Sequence, residues 1–283
     1  VDRIYIGNIP VIGETALAGV GVSGPIVTLI SAFAYLVGLG GSPLMSVRMG
    51  EGQDEKAKKI LANSFWMIVG LSSVLTLVLF VFKREILTRF GASEAILPYA
   101  ESYFTIYLLG TVFVMVSVGM NPFINSQGFG NTGMISVLIG AVLNIILDPI
   151  FIFVLNLGVR GAAIATIISQ FCSTVWVLVF LTGKRAVLHL KWSCMWLQWK
   201  RVLRIIGLGV SSFIMAFTNS LVQVVCNATL QVYGGDIYVG VMTVLNSVRD
   251  ICTLPVMGIT NGASPVMSFN YGEGAYEKVR KAI

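Results

Sequence analysis

The chain has 283 residues, 56% hydrophobic and 11% charged, with a mean hydropathy of +0.85; soluble domains carry about a quarter charged residues, so this is the composition of an integral membrane protein. The formal net charge of +6 comes from basic residues set in loops between apolar stretches, which membrane orientation explains, and no nucleic-acid partner is implied. The apolar stretches are of helical length rather than short and alternating, which excludes a β-barrel and predicts an all-α, polytopic protein in the lipid bilayer.

In chain order, residues 1–8 read as the outer end of a span whose beginning precedes Val1, with Asp2 and Arg3 inside it. A start without methionine, and with no visible signal peptide, reads as a fragment. Residues 20–47 predict a long, glycine-rich second span, with Pro25 near its start and Gly38, Gly40, Gly41 and Pro43 loosening its end. A charged loop at 48–59 leads to a third span at 60–82, and KREILTRFGASEA is expected to be a short loop. The fourth span, 97–124, is entered through Glu101 and Tyr103, and NSQGFGNTG turns the chain into the fifth.

The fifth span, 134–154, holds Asn144 and Asp148 inside an apolar run of membrane-spanning length. A carboxylate in hydrocarbon costs about 3 kcal/mol even on the lenient insertion scale, so Asp148 should face the protein interior or a wet cavity. It is a functional-site candidate on that ground. Asn144 and Asp148 are four apart, which stacks an amide and a carboxyl on one helix face, and Gly140 one turn earlier leaves that face open. The face is an expected ion site; the alternative is a packing Asn and a structural Asp paired with a neighbour. Pro149 removes the hydrogen bond owed to the Ile145 carbonyl, which predicts a kink beside the acid with a spare backbone acceptor.

The sixth span is expected at 162–181. A basic segment at 184–204 follows, in which Trp192, Trp196 and Trp199 suit an amphipathic interfacial helix, and two further spans at 202–230 and 237–269 complete the chain. Cys172, Cys194, Cys226 and Cys252 are widely separated without metal-type spacing and read as reduced packing residues. His189 lies among loop residues without a second histidine, so neither a metal centre nor a cofactor is expected.

Alternating loops test the topology. With the N-terminus in the cytoplasm, Arg48, Lys56, Lys58, Lys59, Lys184, Arg185, Lys191, Lys200, Arg201, Arg204, Lys278, Arg280 and Lys281 fall inside, against Lys83, Arg84, Arg89 and Arg160 outside. The excess of cytoplasmic basic residues supports that orientation.

An internal repeat organises the whole. Aligning 41–61 with 263–283 gives ten identities in twenty-one positions, among them Ser42, Pro43, Met45, Ser46, Gly50, Glu51 and Gly52 with Ser264, Pro265, Met267, Ser268, Gly272, Glu273 and Gly274. The offset of 222 spans six predicted helices, an even number, so both copies cross the membrane in the same sense, as parallel repeats about an axis along its normal. Each repeat is then one six-helix lobe. Residues 1–182 are read as the first lobe, 183–201 as a cytoplasmic basic linker, and 202–283 as the start of a second lobe that is truncated here, in a protein of about twelve spans.

ALAGVG, the SPLMSVRMGEG repeat and the Asn144–Asp148–Pro149 motif, in this two-lobe layout, together resemble the multidrug and toxic compound extrusion (MATE) family, in particular its DinF-like branch. The resemblance implies a monomeric, multi-pass antiporter of the inner or plasma membrane. Such a protein exports small cationic, amphipathic drugs or toxins in exchange for Na⁺ or H⁺. It also implies a cation site in the first lobe built from an acid on the first helix, a Tyr on the fourth, an Asn and an Asp on the fifth and a Thr on the sixth. Motif by motif these fall on Asp2, Tyr103, Asn144, Asp148 and Thr166. The positions of Asp2, Tyr103, Asp148 and Thr166 relative to the predicted ends of their spans place all four about 6–10 Å below the outer surface, in one layer. Two carboxylates sharing that layer would repel, so one holds a proton or both share a cation.

Elsewhere the pattern departs from the family. Some relatives carry an acid on the seventh helix, whereas residues 207–225 offer Ser211, Ser212, Thr218, Asn219 and Gln223, which argues against a coupling site in the second lobe. Met215, Asn219, Arg249 and Asp250 are candidates for lining a substrate cavity, with a structural ion pair as the alternative for the last two. Met45, Met120, Met215 and Met242 suit either an adaptable drug surface or ordinary packing. A lipid-linked saccharide flippase of the same superfamily would need several intramembrane basic residues for a pyrophosphate carrier, and only Arg3 and Arg249 qualify. An intramembrane enzyme would need a nucleophile–base or metal constellation, and the chain has neither G-x-S-x-G nor H-E-x-x-H. ATP-driven transport has no G-x-x-x-x-G-K-[ST] loop to support it.

Overall fold

The computed structural model describes residues 2–10, 12–190 and 197–282, with the backbone alone at some positions between 227 and 254, Asp250 among them. Helices account for nearly all of it, as expected where lipid offers the backbone no hydrogen-bond partner. α1 (Asp2–Gly7), α2 (Gly13–Gly50), α3 (Asp54–Val81), α4 (Lys83–Arg89), α5 (Leu97–Leu109) and α6 (Thr111–Ser126) form the first half. α7 (Gly130–Pro149), a π-helical turn (Ile150–Val154), α8 (Gly158–Thr182), α9 (Trp199–Gly272) and α10 (Tyr276–Ala282) follow. Among the described residues, five helical segments are long and apolar enough to cross a membrane, and the bent pair α5 and α6 makes a sixth.

The lipid-facing and inward-facing sides of α7 differ in residue type. Val137, Leu138, Val142, Ile145 and Ile146 are exposed, whereas Gly133, Ser136, Gly140 and Asp148 are buried. Outward branched side chains would cost free energy in water but fit hydrocarbon, and the inward small and polar ones let α8 approach closely. α3 shows the same division, with Val74, Leu77 and Val81 exposed and Ile60, Leu61 and Ile68 in the core.

Two expectations are revised, and a third falls partly outside the described residues. The segment expected as a loop after the third span contains α4, because Leu87 is buried while Lys83 reaches Glu101 at 3.1 Å and Thr105 at 3.0 Å. The fourth span is not straight: α5 and α6 meet at Gly110 with a bend of 59°, where a side chain on Gly110 would collide with Ile167 of α8. Trp192 and Trp196 lie outside the described residues, while Trp199 opens α9.

α9 would be about 111 Å long if straight, yet Gly209 lies against Leu36 and Gly272 against Val47, positions close together on α2. The helical stretch therefore reverses between these contacts, and its two halves flank α2. The first half runs antiparallel to α2: Ile205 and Gly209 meet Gly40, and Ser220 Oγ donates to the Pro25 carbonyl at 2.8 Å.

At the far end of α2 the repeat is visible as contacts. A Cβ on Gly50 would strike the Phe269 carbonyl, and one on Gly272 would strike the Val47 carbonyl. Phe269 is the repeat mate of Val47, and Gly272 of Gly50. Such reciprocity is the mark of a two-fold relation between the copies, as expected for parallel repeats. Neither backbone could come so near the other if either position carried a side chain.

Candidate functional site

The site assembles from short stretches on four helices. α1 supplies Asp2, α5 Tyr103, α7 Asn144 and Asp148, and α8 Thr166. The expected kink after Asp148 takes the form of the π-helical turn: Pro149 has no N–H to give, and beyond it the Leu155 N–H reaches back five residues to the Ile150 carbonyl at 2.9 Å. The side of α7 that carries Asn144 and Asp148 faces α1 and α8, while its branched residues stay outside.

All five residues of the expected cation site lie in one hydrogen-bonded group. Thr166 Oγ1 donates to Asp2 Oδ2 at 2.6 Å, and the Tyr103 hydroxyl donates to the same oxygen at 3.3 Å. Asn144 Nδ2 donates to Asp148 Oδ1 and to Thr166 Oγ1, both at 3.3 Å. Thr166 thus accepts from the residue that holds one carboxylate and donates to the other. Tyr103 is buried and stacks on Tyr107 with ring centroids 6.1 Å apart, which fixes its hydroxyl.

Asp148 is fully buried, and its Oδ2 has no hydrogen-bond partner among the described residues. An unpaired carboxylate oxygen in such a place is expensive unless something positive completes it. The donors described around the two carboxylates are hydroxyls and an amide, all neutral. Arg3, next in sequence to Asp2, instead lays its guanidinium on α2 at Gly24. Carboxylate and hydroxyl oxygens converging in this way, with the Asn144 amide donating to them, form a set suited to a hard monovalent cation or a proton.

Beside the group lies a cavity of about 610 Å³, within the range of small-molecule sites. Asp2, Asn144 and Thr166 line one part of it; Tyr35, Leu39 and Ser42 of α2 and Asn261, Ser264 and Pro265 of α9 close another. Ser42 and Ser264, equivalent in the two repeats, both line it, so the cavity lies between the copies. Met215 and Asn219 are exposed on α9 and are not among its lining residues, Arg249 is exposed, and the side chain of Asp250 lies outside the described residues. Met45 and Met120 are fully buried, as packing residues are.

Sequence reasoning missed a second set of lining groups: Ser117, Asn121 and Asn125 on α6, Ser136 on α7, and Gln170 and Ser173 on α8. Ser117 donates to Gln170 Oε1 at 2.7 Å and Asn121 to Ser136 Oγ at 2.6 Å. The available signal was the spacing of 117, 121 and 125, which puts three polar side chains on one face of one helix.

The chain is similar to known proteins of one family. The family model described as MatE matches residues 1–150 and 211–283, more than half of the chain. The chain belongs to the MatE family. Multidrug export protein MepA of Staphylococcus haemolyticus (strain JCSC1435) is 27% identical over 252 residues, covering 87% of this chain and 54% of the relative. MepA of Staphylococcus aureus (strain NCTC 8325 / PS 47) is 24% identical over 261 residues, covering 92% and 58%. Among solved structures, the MATE multidrug transporter DinF-BH in complex with rhodamine 6G superposes with a TM-score of 0.94 at 32% identity, covering 99% of this chain and 63% of that one. A MATE crystal structure in the bent conformation gives 0.84 at 26% identity, covering 99% and 62%. The chain therefore spans little more than half the length of these curated relatives. They are named as export proteins, and the MatE-family fold is that of a transporter rather than an enzyme.

Proposed function

We propose that the protein is a secondary active exporter of amphipathic organic cations, driven by Na⁺ or H⁺ moving through the Asp2–Asp148 group. The observation that carries this reading is the joining of two carboxylates, from α1 and α7, through Thr166 and Asn144 beside a cavity of about 610 Å³, with one buried carboxylate oxygen unpartnered. The names of the MepA relatives and the rhodamine-bound DinF-BH structure support the substrate class.

In this reading residues 1–182 form the first lobe, 183–201 a basic linker and 202–283 the start of the second. The protein works as a monomer in the plasma membrane, with its N-terminus cytoplasmic because the basic residues crowd on that side. Cation uptake from outside and drug uptake from inside favour opposite facings of the two lobes, so each ligand drives release of the other. Asp148 holds the coupling cation, Asp2 shares it, Asn144 and Thr166 set the carboxylates' spacing, and Tyr103 fixes Asp2. Asp148→Asn keeps the shape and removes the charge. The intact protein carrying it, reconstituted in proteoliposomes, should bind rhodamine 6G but fail to expel it down a sodium or proton gradient. Wild-type gradient-driven efflux by that variant would refute the assignment.

A further inference from the structure

The cavity beside Asp2 does not stop there. Its lining continues along α6 to Asn125, and Asn125 with Pro265 of α9 also lines a second cavity of about 270 Å³. Met49, Gln127, Phe269 and Asn270 form other walls of that second chamber. Asn125 and Pro265 are thus shared walls of the chamber that Asp2 lines and of a chamber at the end of the bundle where α6 stops and α7 begins. In the orientation proposed above this end is cytoplasmic. Met49 and Phe269 flank the Gly50–Gly272 crossing, so the outer limit of the second chamber is the backbone contact between the two repeats.

The shared wall at Asn125 is polar and held in place. Asn125 Nδ2 donates to Asn121 Oδ1 at 3.2 Å, and Asn121 Nδ2 donates to the Gly133 carbonyl at 2.9 Å and to Ser136 Oγ at 2.6 Å. The Ser136 hydroxyl donates in turn to the Gly133 carbonyl at 2.7 Å. The side-chain oxygen of Asn125 occupies the space a Cβ on Gly133 would take, which ties α6 to α7 at this level. Neutral amides and hydroxyls can replace part of the water around a small cation, yet they supply no charge to retain it. A bulky amphipathic cation finds neither room nor counter-charge there.

We propose that Asn125, in its cluster with Asn121 and Ser136, is the neck through which the coupling cation leaves the Asp2–Asp148 chamber for the cytoplasmic side, and that this neck rejects the drug. The inference rests on the ion coupling proposed above and adds the route and its selecting residue. In this structure Asn125 of α6 and Pro265 of α9 stand between the two cavities, above the Gly50–Gly272 crossing. When α2 and α9 part at the crossing, the neck opens and the cation passes.

The test uses the intact protein in proteoliposomes, with the same rhodamine as drug probe and release of cation followed by a sodium-sensitive or a pH-sensitive dye. Separate sodium-gradient and proton-gradient arms identify the cation. Asn125→Leu, which makes the neck apolar, should slow cation release by about tenfold, a larger factor than any loss of rhodamine affinity in the same variant. Asn125→Ser, polar but shorter, should raise cation flux in the absence of rhodamine several-fold, because the shut neck then leaks. Wild-type release by Asn125→Leu, or equal slowing by both variants, would overturn the proposal. If Asn125→Leu loses rhodamine binding through misfolding, the leak of Asn125→Ser decides. Asp148→Asn is the control: cation exchange that survives it brings down the coupling reading and this inference with it. A dead Asp148→Asn beside an unaffected Asn125→Leu brings down the neck alone.

Discussion

The two ends of the cavity region are built from different chemistry. At one end, Asp2 and Asp148 bring two carboxylates together from α1 and α7, linked by Thr166 and Asn144. At the other, Asn121, Asn125 and Ser136 join α6 to α7 with neutral groups alone. A charge-bearing end holds an ion and a neutral polar end lets it go, because retention scales with counter-charge whereas passage needs only replacement of hydration. In the proposed reading α7, which contributes to both ends, serves binding at one and release at the other by a change of residue type along its length.

That contrast can be broken from either side. The largest effect is expected from moving charge to the wrong end: Asn125→Asp with Asp148→Asn should leave a retaining group in the neck and none in the site. Gradient-driven rhodamine efflux should then fall at least about a hundredfold, the scale of losing a buried charge from its partners; substantial residual efflux would mean that the position of the carboxylate is immaterial. Next is the pairing of the carboxylates. Asp2→Asn and Asp148→Asn should each stop coupled transport, and the double variant should be no worse than either, because both remove the same shared cation. Independent, multiplying losses in a double-mutant cycle would separate Asp2 from the site.

A smaller effect is expected from the linker between them. Thr166→Ala removes the hydroxyl that bridges Asp2 and Asn144 and should weaken cation affinity by about tenfold, the worth of a charge-assisted hydrogen bond. Thr166→Ser should restore it, and isothermal titration with Na⁺, or a proton-binding measurement, separates the two outcomes. The smallest effect belongs where the basic linker docks, at the wall of the second chamber. Gln127 Oε1 accepts from the Leu188 N–H at 2.8 Å and so pins the start of the basic linker to the end of α6. Gln127→Ala leaves a buried N–H unpaired at about 1–3 kcal/mol, which should lower Tm by a few degrees while transport per folded molecule stays at the wild-type rate. A transport defect at unchanged Tm would show that the linker's docking belongs to the mechanism.

The charged end was legible in the sequence and the neutral end was not, for a physical reason. An acid inside an apolar run is so costly in hydrocarbon that Asp148 announces a site by itself, and the spacing of Asn144 extends it along one helix face. Hydroxyl side chains carry no such signal, because in a helix they can return their hydrogen bond to the preceding turn. Thr28 does so to Gly24, Ser31 to Val27 and Ser169 to Ala165. The single Ser117 hydroxyl hydrogen has two acceptors within reach, the Val114 carbonyl of its own helix at 3.0 Å and Gln170 Oε1 of α8 at 2.7 Å, and only the assembled helices supply the second.

Composition and hydropathy by themselves determined the helical membrane class, since the spans are long and uncharged and lipid admits no other backbone arrangement for them. The repeat of 41–61 in 263–283 determined that two copies run in the same sense, because an even number of helices separates them. Tertiary structure alone decided the bend at Gly110, where Ile167 fills the space a side chain would need, and the reversal of α9 along α2. It also decided which polar faces meet: Asn121 finds Ser136 and Thr166 finds Asp2 because helix rotation and depth, set by packing against every neighbour at once, bring together residues 15 and 164 positions apart in the chain.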